Sequence, residues 1–260
     1  MDKQPSVQSL ERTFDLIERL SRSSGGMLLM ELSAESGLHK STVHRLLSSL
    51  AAMGYVKKDE GSNKYRLTLK LFELSGRVVD NLDVLEIAKP YLEHLRNATQ
   101  EAIHLVVRDG IDIVYVYKMD SKNSSIRMFS RIGMRRPMYC TAVGKSILAT
   151  MTDEEVLKIW GESDIKRYTE HTVVELGPLF RELEEIRRKG YALDNEENEL
   201  GVRCIGAVVR DYTGRGKAAL SISAPIARMT DVRIAQLAKE ILQTSSDISA
   251  ELGYREKSQE

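Results

Sequence analysis

Cysteine is scarce in this sequence, which contains only Cys140 and Cys204. A disulfide scaffold would carry more cysteine, so the composition predicts a protein of a reducing, cytoplasmic compartment. No apolar run approaches 18 residues, and neither a signal peptide nor a lipidation signal is recognisable, so no membrane partner is expected. Internal repeats and low-complexity tracts are also lacking, which excludes a repeat architecture.

The sequence has no net charge either, because 38 Lys and Arg balance 38 Asp and Glu. The balance is uneven, since residues 1–69 carry ten basic side chains against eight acidic ones. Between Gly37 and Lys58 there are four Lys or Arg and no acid. A modest cationic surface is therefore expected near the N-terminus, in a chain whose 260 residues favour two globular domains.

Residues 28–54 predict two short helices joined by a tight turn, a helix-turn-helix. Gly37 supplies the residue that adopts positive φ without steric cost at the corner. The second helix, about 39–53, repeats apolar residues on one face, whereas its other face is polar, cationic and free of acids. Such a face suits the major groove of DNA, although a purely solvent-facing helix is the alternative. The residues of this helix predicted to contact DNA are Lys40, Ser41, Thr42, His44 and Arg45.

Two short strands around residues 60–63 follow as a predicted hairpin. Its basic side chains suit a wing that contacts phosphates, or alternatively an edge-protected surface ribbon. These side chains are Lys57, Lys58, Lys64 and Arg66. A first helix, about 7–23, carries Leu10, Phe14, Ile17 and Leu20 on one side and is predicted to complete a three-helix core. We therefore predict a winged helix-turn-helix domain over 1–69, with the helix-turn-helix at about 29–53 and the wing at 55–68.

Residues 70–100 predict amphipathic linker helices that also dimerise the protein. One winged domain contacts few base pairs, so a homodimer or a dimer of dimers on a pseudo-palindromic double-stranded operator is expected. Residues 101–253 alternate hairpin signals with helices, which favours an antiparallel α+β domain, and 254–260 form a tail. The predicted elements are strands 102–107, 111–117, 203–210 and 217–223 and helices 141–151, Leu176–Lys189 and 230–252, with a capping box at 152–155.

Four segments carry a resemblance that spans essentially the whole chain: KSTVHRLLSSL, CTAVGKSILA, GYALDNEENELGVRCIGAVVRD and ALSISAP. Together they resemble the IclR family of bacterial transcriptional regulators. The resemblance implies an α+β protein with an N-terminal winged helix-turn-helix and a C-terminal GAF-like effector-binding domain, joined by a linker helix. It also implies a small effector, usually a carboxylate, that controls operator binding.

Within that family, YRLTLKLFELSGR, EAIHL, IRMFSRIGMRRPMY and TAVGKS look most like the repressors of pectin and hexuronate catabolism. That similarity implies a repressor that senses 2-keto-3-deoxygluconate or a related sugar acid. An activator or repressor of the same family that responds to a different small carboxylate or an aromatic acid is the alternative. Either protein would work in the bacterial cytoplasm, on the nucleoid when bound to DNA.

The resemblance places the effector against residues that match the family's pocket: Met128, Ala142, Val143, Asp194, Val202, Cys204, Ser221 and Ser223. The residues offer a rationale, because a helix capped by Thr141 begins with free amides that attract an anion. The departure from the family is Tyr139–Cys140–Thr141, where smaller residues are frequent, so pocket size is expected to differ. Taken singly, the serines also fit a polar strand face, Cys204 a core position and Asp194 a solvated acidic loop.

An enzymatic reading finds little support, so no catalytic residue, metal or cofactor is expected. Gly144–Lys145–Ser146 resembles the end of a phosphate loop, but that motif needs glycine at 139, which is Tyr139. The histidines lack the spacing of metal ligands, and no third group is placed to orient a Cys–His pair. A cysteine-dependent hydrolase is therefore a remote alternative, as is a structural or oligomerising protein that does not bind DNA.

Overall fold

The computed structural model describes residues 7–71, 73–74, 84–121 and 129–255. The chain divides into two compact units, Met1–Leu82 and Asp83–Glu260, each with its own hydrophobic core. The predicted linker and dimerisation segment 70–100 lies only partly within the described residues, so its role remains a prediction. Five residues of the predicted tail, 256–260, lie outside them as well.

Three helices form the first unit: α1 (Gln8–Arg22), α2 (Leu29–Ser36) and α3 (Lys40–Ala52). Gly37 has a φ of 67° between α2 and α3, as predicted for a sharp corner. Leu32 of α2 and Val43 and Leu47 of α3 are fully buried where the two helices pack. The predicted helix-turn-helix is confirmed, although Met53, the last apolar residue of the predicted second helix, follows the end of α3 and is exposed.

The predicted apolar side of α1 is only partly the side that packs. Leu16 and Leu20 are buried in the core, whereas Leu10 is 57% exposed and Phe14 59% exposed. Helical geometry places Phe14 about 160° around the axis from Leu16, so apolar residues occur on two faces. Periodicity alone does not distinguish which face packs, and the predicted contribution of Leu10 and Phe14 to the core is wrong.

The hairpin consists of β1 (Val56–Lys58) and β2 (Tyr65–Leu67), antiparallel with Val56 opposite Leu67. Its turn is held by Asp59, whose Oδ1 accepts hydrogen bonds from the N–H and the hydroxyl of Ser62 at 2.8 and 2.7 Å. The chain just before α2 also joins the hairpin, because Met27 and Tyr65 exchange backbone hydrogen bonds of 3.0 and 2.8 Å. The wing is therefore fastened to the start of the helix-turn-helix.

The second unit contains a six-stranded antiparallel sheet in the order β5-β4-β3-β8-β7-β6. The strands are β3 (Ala102–Asp109), β4 (Asp112–Met119), β5 (Arg135–Pro137), β6 (Ala192–Asn195), β7 (Val202–Arg210) and β8 (Gly216–Pro225). The two predicted hairpins, β3–β4 and β7–β8, are confirmed, and so is the antiparallel α+β class. The edge strands β5 and β6 were not predicted.

Helices cover both faces of this sheet. They are α4 (Val84–Thr99), α5 (Ala142–Leu148), α6 (Asp153–Glu162), α7 (Leu176–Lys189) and α8 (Asp231–Glu251), with a 3₁₀ turn at Ile226–Arg228. α4 packs on β3 and α8 on β7 and β8, whereas α5 packs on β7 and β8 from the other face. In the part of the chain that the structure describes, no helix is long and apolar enough to cross a membrane.

The start of α5 approaches β7 closely because a glycine faces it. A Cβ on Gly206 would lie 2.8 Å from the carbonyl carbon of Ala142 and 2.9 Å from the amide nitrogen of Val143. Thr141 caps the helix by accepting a hydrogen bond of 3.1 Å from the N–H of Gly144. The predicted capping box at the start of α6 is also present, with Thr152 and Glu155 as its partners.

Candidate functional site

The outward face of α3 carries the residues predicted to contact DNA. Lys40, Ser41, His44 and Arg45 are exposed, and Thr42 is half-buried. The helix contains no acidic residue, while Val43, Leu46, Leu47 and Leu50 fill the opposite face. α3 therefore presents a polar, cationic surface on a helix whose apolar side is fixed in the core.

The hairpin adds a second cationic surface within the same unit. Lys57 and Arg66 are directly opposite in the strand register, so both side chains project from one face, and both are exposed. Lys58 lies over the ring of Tyr65, with Nζ 5.9 Å from the ring centroid, and Lys64 is half-buried. Like charges directly opposite each other weaken a strand pair, so this arrangement favours an anionic partner over a purely structural role.

The second unit holds a small cavity of about 30 Å³ to which every strand of the sheet contributes. Its lining residues are His104, Tyr115, Phe129, Ser130, Met134, Arg136, Asp194, Asn198, Glu199, Val202, Cys204 and Ser223. Side chains alternate between the two faces of a strand, so residues 202, 204 and 206 lie on the same face of β7. Residues 202 and 204 line the cavity and residue 206 faces α5, so the cavity lies on the face that α5 covers. The start of α5, which meets Gly206, is therefore adjacent to the cavity along β7.

His104 organises the hydroxyl groups around the cavity. Its Nε2 is 2.8 Å from the hydroxyl of Ser130, and its Nδ1 is 3.3 Å from that of Ser221 and 3.4 Å from that of Ser223. Burial, with a smaller contribution from the charge of Lys118, lowers the pKa of His104 to about 4. The imidazole is therefore neutral at pH 7, with one nitrogen to donate and one to accept a hydrogen bond.

Asp194 provides a carboxyl group to the same cavity from the edge strand β6, on the face of the sheet that also carries His104. Its Oδ1 accepts hydrogen bonds from the N–H groups of Glu197 and Asn198 at 2.8 and 3.4 Å. Burial, and then the neighbouring charge of Glu197, raises the pKa of Asp194 to about 7. Near neutral pH this carboxyl group therefore exists in both protonation states, and each state offers a ligand a different hydrogen-bonding partner.

Cys204 lies between Asp194 and Ser223 in the strand register. Burial raises its pKa well above the ordinary value, and burial likewise raises the pKa of Cys140. A nucleophilic cysteine needs the opposite shift, because the thiolate is the reactive form. Among the described residues, no group of three or more His, Cys, Asp or Glu could hold a metal ion.

Comparison with known proteins places both units in one family. Residues 9–60 match the family model described as the IclR helix-turn-helix domain. Residues 76–250 match the model described as Bacterial transcriptional regulator IclR C-terminal. The chain belongs to the IclR family. The two family matches and the similarity to a solved IclR structure confirm the fold expected from the resemblance, and the relatives are transcriptional regulators.

Similar IclR-family proteins match along almost their full length. The HTH-type transcriptional regulator KdgR of Escherichia coli is 40% identical, with 98% of this chain and 97% of KdgR covered. The DNA-binding transcriptional repressor YiaJ of the same organism is 39% identical, with 95% and 88% covered. The crystal structure of Thermotoga maritima IclR is 31% identical with a TM-score of 0.65, covering 95% of this chain and 99% of that one.

Four of the residues that the IclR resemblance assigned to the effector line the cavity: Asp194, Val202, Cys204 and Ser223. Ser221 does not line it but contacts His104, which does. Ala142 and Val143 are buried against β7 and lie outside the lining, while Met128 is outside the described residues. The assignment of all eight to an effector remains a prediction. Sequence reasoning missed the other lining residues, although His104 and Tyr115 lie in strands that it did predict.

Asp194→Asn is expected to change how stability depends on pH. The unfolded carboxyl group has a pKa near 3.9, so between about pH 4 and 7 the folded protein binds a proton that the unfolded chain does not. Asp194 therefore stabilises the fold at low pH, and this contribution falls by about 1 kcal/mol per pH unit as pH rises through that window. Asparagine does not titrate, so the variant lacks this decline.

The sole tryptophan, Trp160, lies in the second unit and reports its unfolding by fluorescence. Urea titrations of both proteins at pH 5, 6, 7 and 8 should show the stability of Asp194→Asn rising relative to wild type as pH increases. Parallel pH curves for the two proteins would mean that Asp194 is ionised in the folded state throughout, contrary to the raised pKa.

Proposed function

We propose that this IclR-family regulator is a repressor released from its operator by a sugar acid such as 2-keto-3-deoxygluconate. The observation that carries the proposal is the cavity, where neutral His104, Asp194 and serine hydroxyls face a common space. A polyhydroxylated acid presents several hydroxyl groups, and each needs a hydrogen-bond partner when it leaves water. The similarity to KdgR supports the same ligand class.

DNA binding follows from the two cationic surfaces of the first unit. In the proposed mode, Arg45 and its neighbours on α3 enter the major groove, and the hairpin cations hold phosphates. A dimer, or a pair of dimers, would bring two recognition helices onto a pseudo-palindromic site in the bacterial cytoplasm. Effector binding then weakens operator affinity to the extent that the ligand prefers the non-binding conformation.

The cavity is small for such a ligand, and this sets a condition on binding. A volume of about 30 Å³ accommodates one or two water molecules, so a six-carbon acid requires the walls to separate. Enlargement along β7 would lead to the start of α5, where the amides of Ala142 and Val143 have no acceptor among the described residues. Ligand binding is therefore expected to move the wall between the cavity and α5.

Calorimetric titration with 2-keto-3-deoxygluconate, pyruvate and glyoxylate tests this proposal. Saturable binding of the sugar acid, together with release of operator DNA in a mobility-shift assay, is expected. The double variant Asp194→Ala/Ser221→Ala should keep operator binding and lose the response to the sugar acid. Release by pyruvate, glyoxylate or an aromatic acid alone would instead establish the alternative, a regulator of the same family with a different effector.

A further inference from the structure

The cavity wall contains one arginine, Arg136, among its described residues. Arg136 lies on the edge strand β5, is half-buried and lines the cavity. Its guanidinium carbon is 5.8 Å from the ring centroid of Phe129 and 5.8 Å from that of Tyr168. These contacts hold the guanidinium by cation–π attraction, which orients the group without using its hydrogen-bond donors.

Arg136 differs in this respect from the arginine next to it. Arg135 binds Asp109 at 2.6 Å and Asp112 at 3.3 Å across the β3–β4 turn. Arg136, by contrast, makes neither an ion pair nor a side-chain hydrogen bond with any residue that the structure describes. Its planar group therefore keeps all five N–H donors available on the wall of a polar cavity.

The other charges of the lining make this arginine distinctive. Asp194 and Glu199 are acidic, and His104 is neutral at pH 7 because burial lowers its pKa. Among the described lining residues, Arg136 is therefore the one permanent cation. A carboxylate ligand entering the cavity would be repelled by Glu199, and by Asp194 when that group is ionised, and Arg136 is the cation of the lining that would attract it.

We propose that Arg136 binds the carboxylate of the effector and thereby selects acids over neutral sugars. A guanidinium donates two parallel hydrogen bonds to one carboxylate, which fixes the orientation of the ligand as well as its charge. The hydroxyl groups of the ligand would then lie toward His104 and Ser223. This inference rests on the proposed function, because it assumes that the effector occupies this cavity.

The test is calorimetry on the full chain with 2-keto-3-deoxygluconate and with its neutral lactone. Arg136→Gln removes the charge and is expected to weaken binding of the acid about 10–100-fold. Arg136→Lys keeps the charge without the fork and should fall between this variant and wild type. Arg131→Gln is the matched control, since Arg131 is an exposed arginine of the same segment outside the lining, and it should bind like wild type.

Selectivity distinguishes a binding role from a structural one. If Arg136 holds the carboxylate, Arg136→Gln should lose affinity for the acid while its weak affinity for the lactone stays within about twofold. Equal loss for both ligands, or unchanged binding of the acid, would overturn the inference, and the latter would favour the amides of Ala142 and Val143 as the anion site. Failure of the wild-type protein to bind the acid would instead refute the proposed function itself. Thermal unfolding followed through Trp160 checks that each variant is folded.

Discussion

Replacing Lys145 with alanine is expected to lower the free energy of unfolding of the second unit by about 3–5 kcal/mol. Lys145 is on α5 with a side chain only 1% exposed, and its Nζ forms ion pairs with Glu197 and with Glu182, the latter at 2.7 Å. Burial alone would lower the pKa of Lys145, but the two carboxylates outweigh it and raise that pKa, so the lysine is charged. Alanine would leave the carboxylate of Glu197 buried without its cation.

The surroundings of Glu197 explain why this loss should be large. Its side chain is 5% exposed, and Oε2 has no hydrogen-bond partner among the described residues, so Lys145 is its main compensation. Asp194 is also close, since its Oδ1 accepts the N–H of Glu197. Removing a partner from a buried pair exposes the full cost of desolvating the remaining charge.

Urea unfolding followed by Trp160 fluorescence measures the effect. Glu182→Ala removes the other partner of the same lysine and is the control: Glu182 is 40% exposed, so a cost of about 1 kcal/mol or less is expected. Adding Glu197→Gln to Lys145→Ala should restore part of the stability, because the orphaned charge is then absent. If Lys145→Ala and Glu182→Ala were equally mild, water would have to reach Glu197 readily.

Replacing Arg45 with alanine is expected to weaken specific operator binding by about 5–150-fold, equivalent to about 1–3 kcal/mol. Arg45 is exposed on α3, whose buried face fixes the direction in which its outer residues project. An arginine that donates two hydrogen bonds to a guanine edge discriminates between bases, so non-specific affinity should fall much less.

Fluorescence anisotropy with operator and scrambled duplexes at several salt concentrations measures both affinities. Lys57→Ala is the matched control, since Lys57 is an exposed cation of the hairpin. It should weaken binding to both duplexes equally and reduce the slope of log affinity against log salt concentration by about one. An equal loss on both duplexes for Arg45→Ala would show that Arg45 contacts phosphate rather than bases.

Elements with local signals were predicted well from the sequence. The helix Leu176–Lys189 has the bounds expected from its pattern because Gly190 ends it with a φ of 82°. The corner at Gly37 and the capping box of α6 were predicted for similar reasons, since each depends on residues within a few positions. Local stereochemistry was sufficient in these places.

Features that depend on distant partners were not predictable in the same way. Asp194 fits a solvated acidic loop by composition, but it is 4% exposed in the edge strand β6, which forms only by pairing with β7. The sequence around Lys145 does not distinguish it from an ordinary charged helix residue, because its partner Glu197 lies 52 positions away. Arg136 is on a three-residue strand that no periodicity reveals.

The hydrogen bonds between Met27 and Tyr65 affect the entropy of DNA binding. They join the hairpin to the backbone that enters α2, so the wing is fastened to the helix-turn-helix. A wing free to swing would lose backbone freedom on the operator, at about 1–2 kcal/mol per residue ordered. Here the hydrogen bonds fix the attachment of the hairpin during folding, so this part of the entropy loss does not fall on DNA binding.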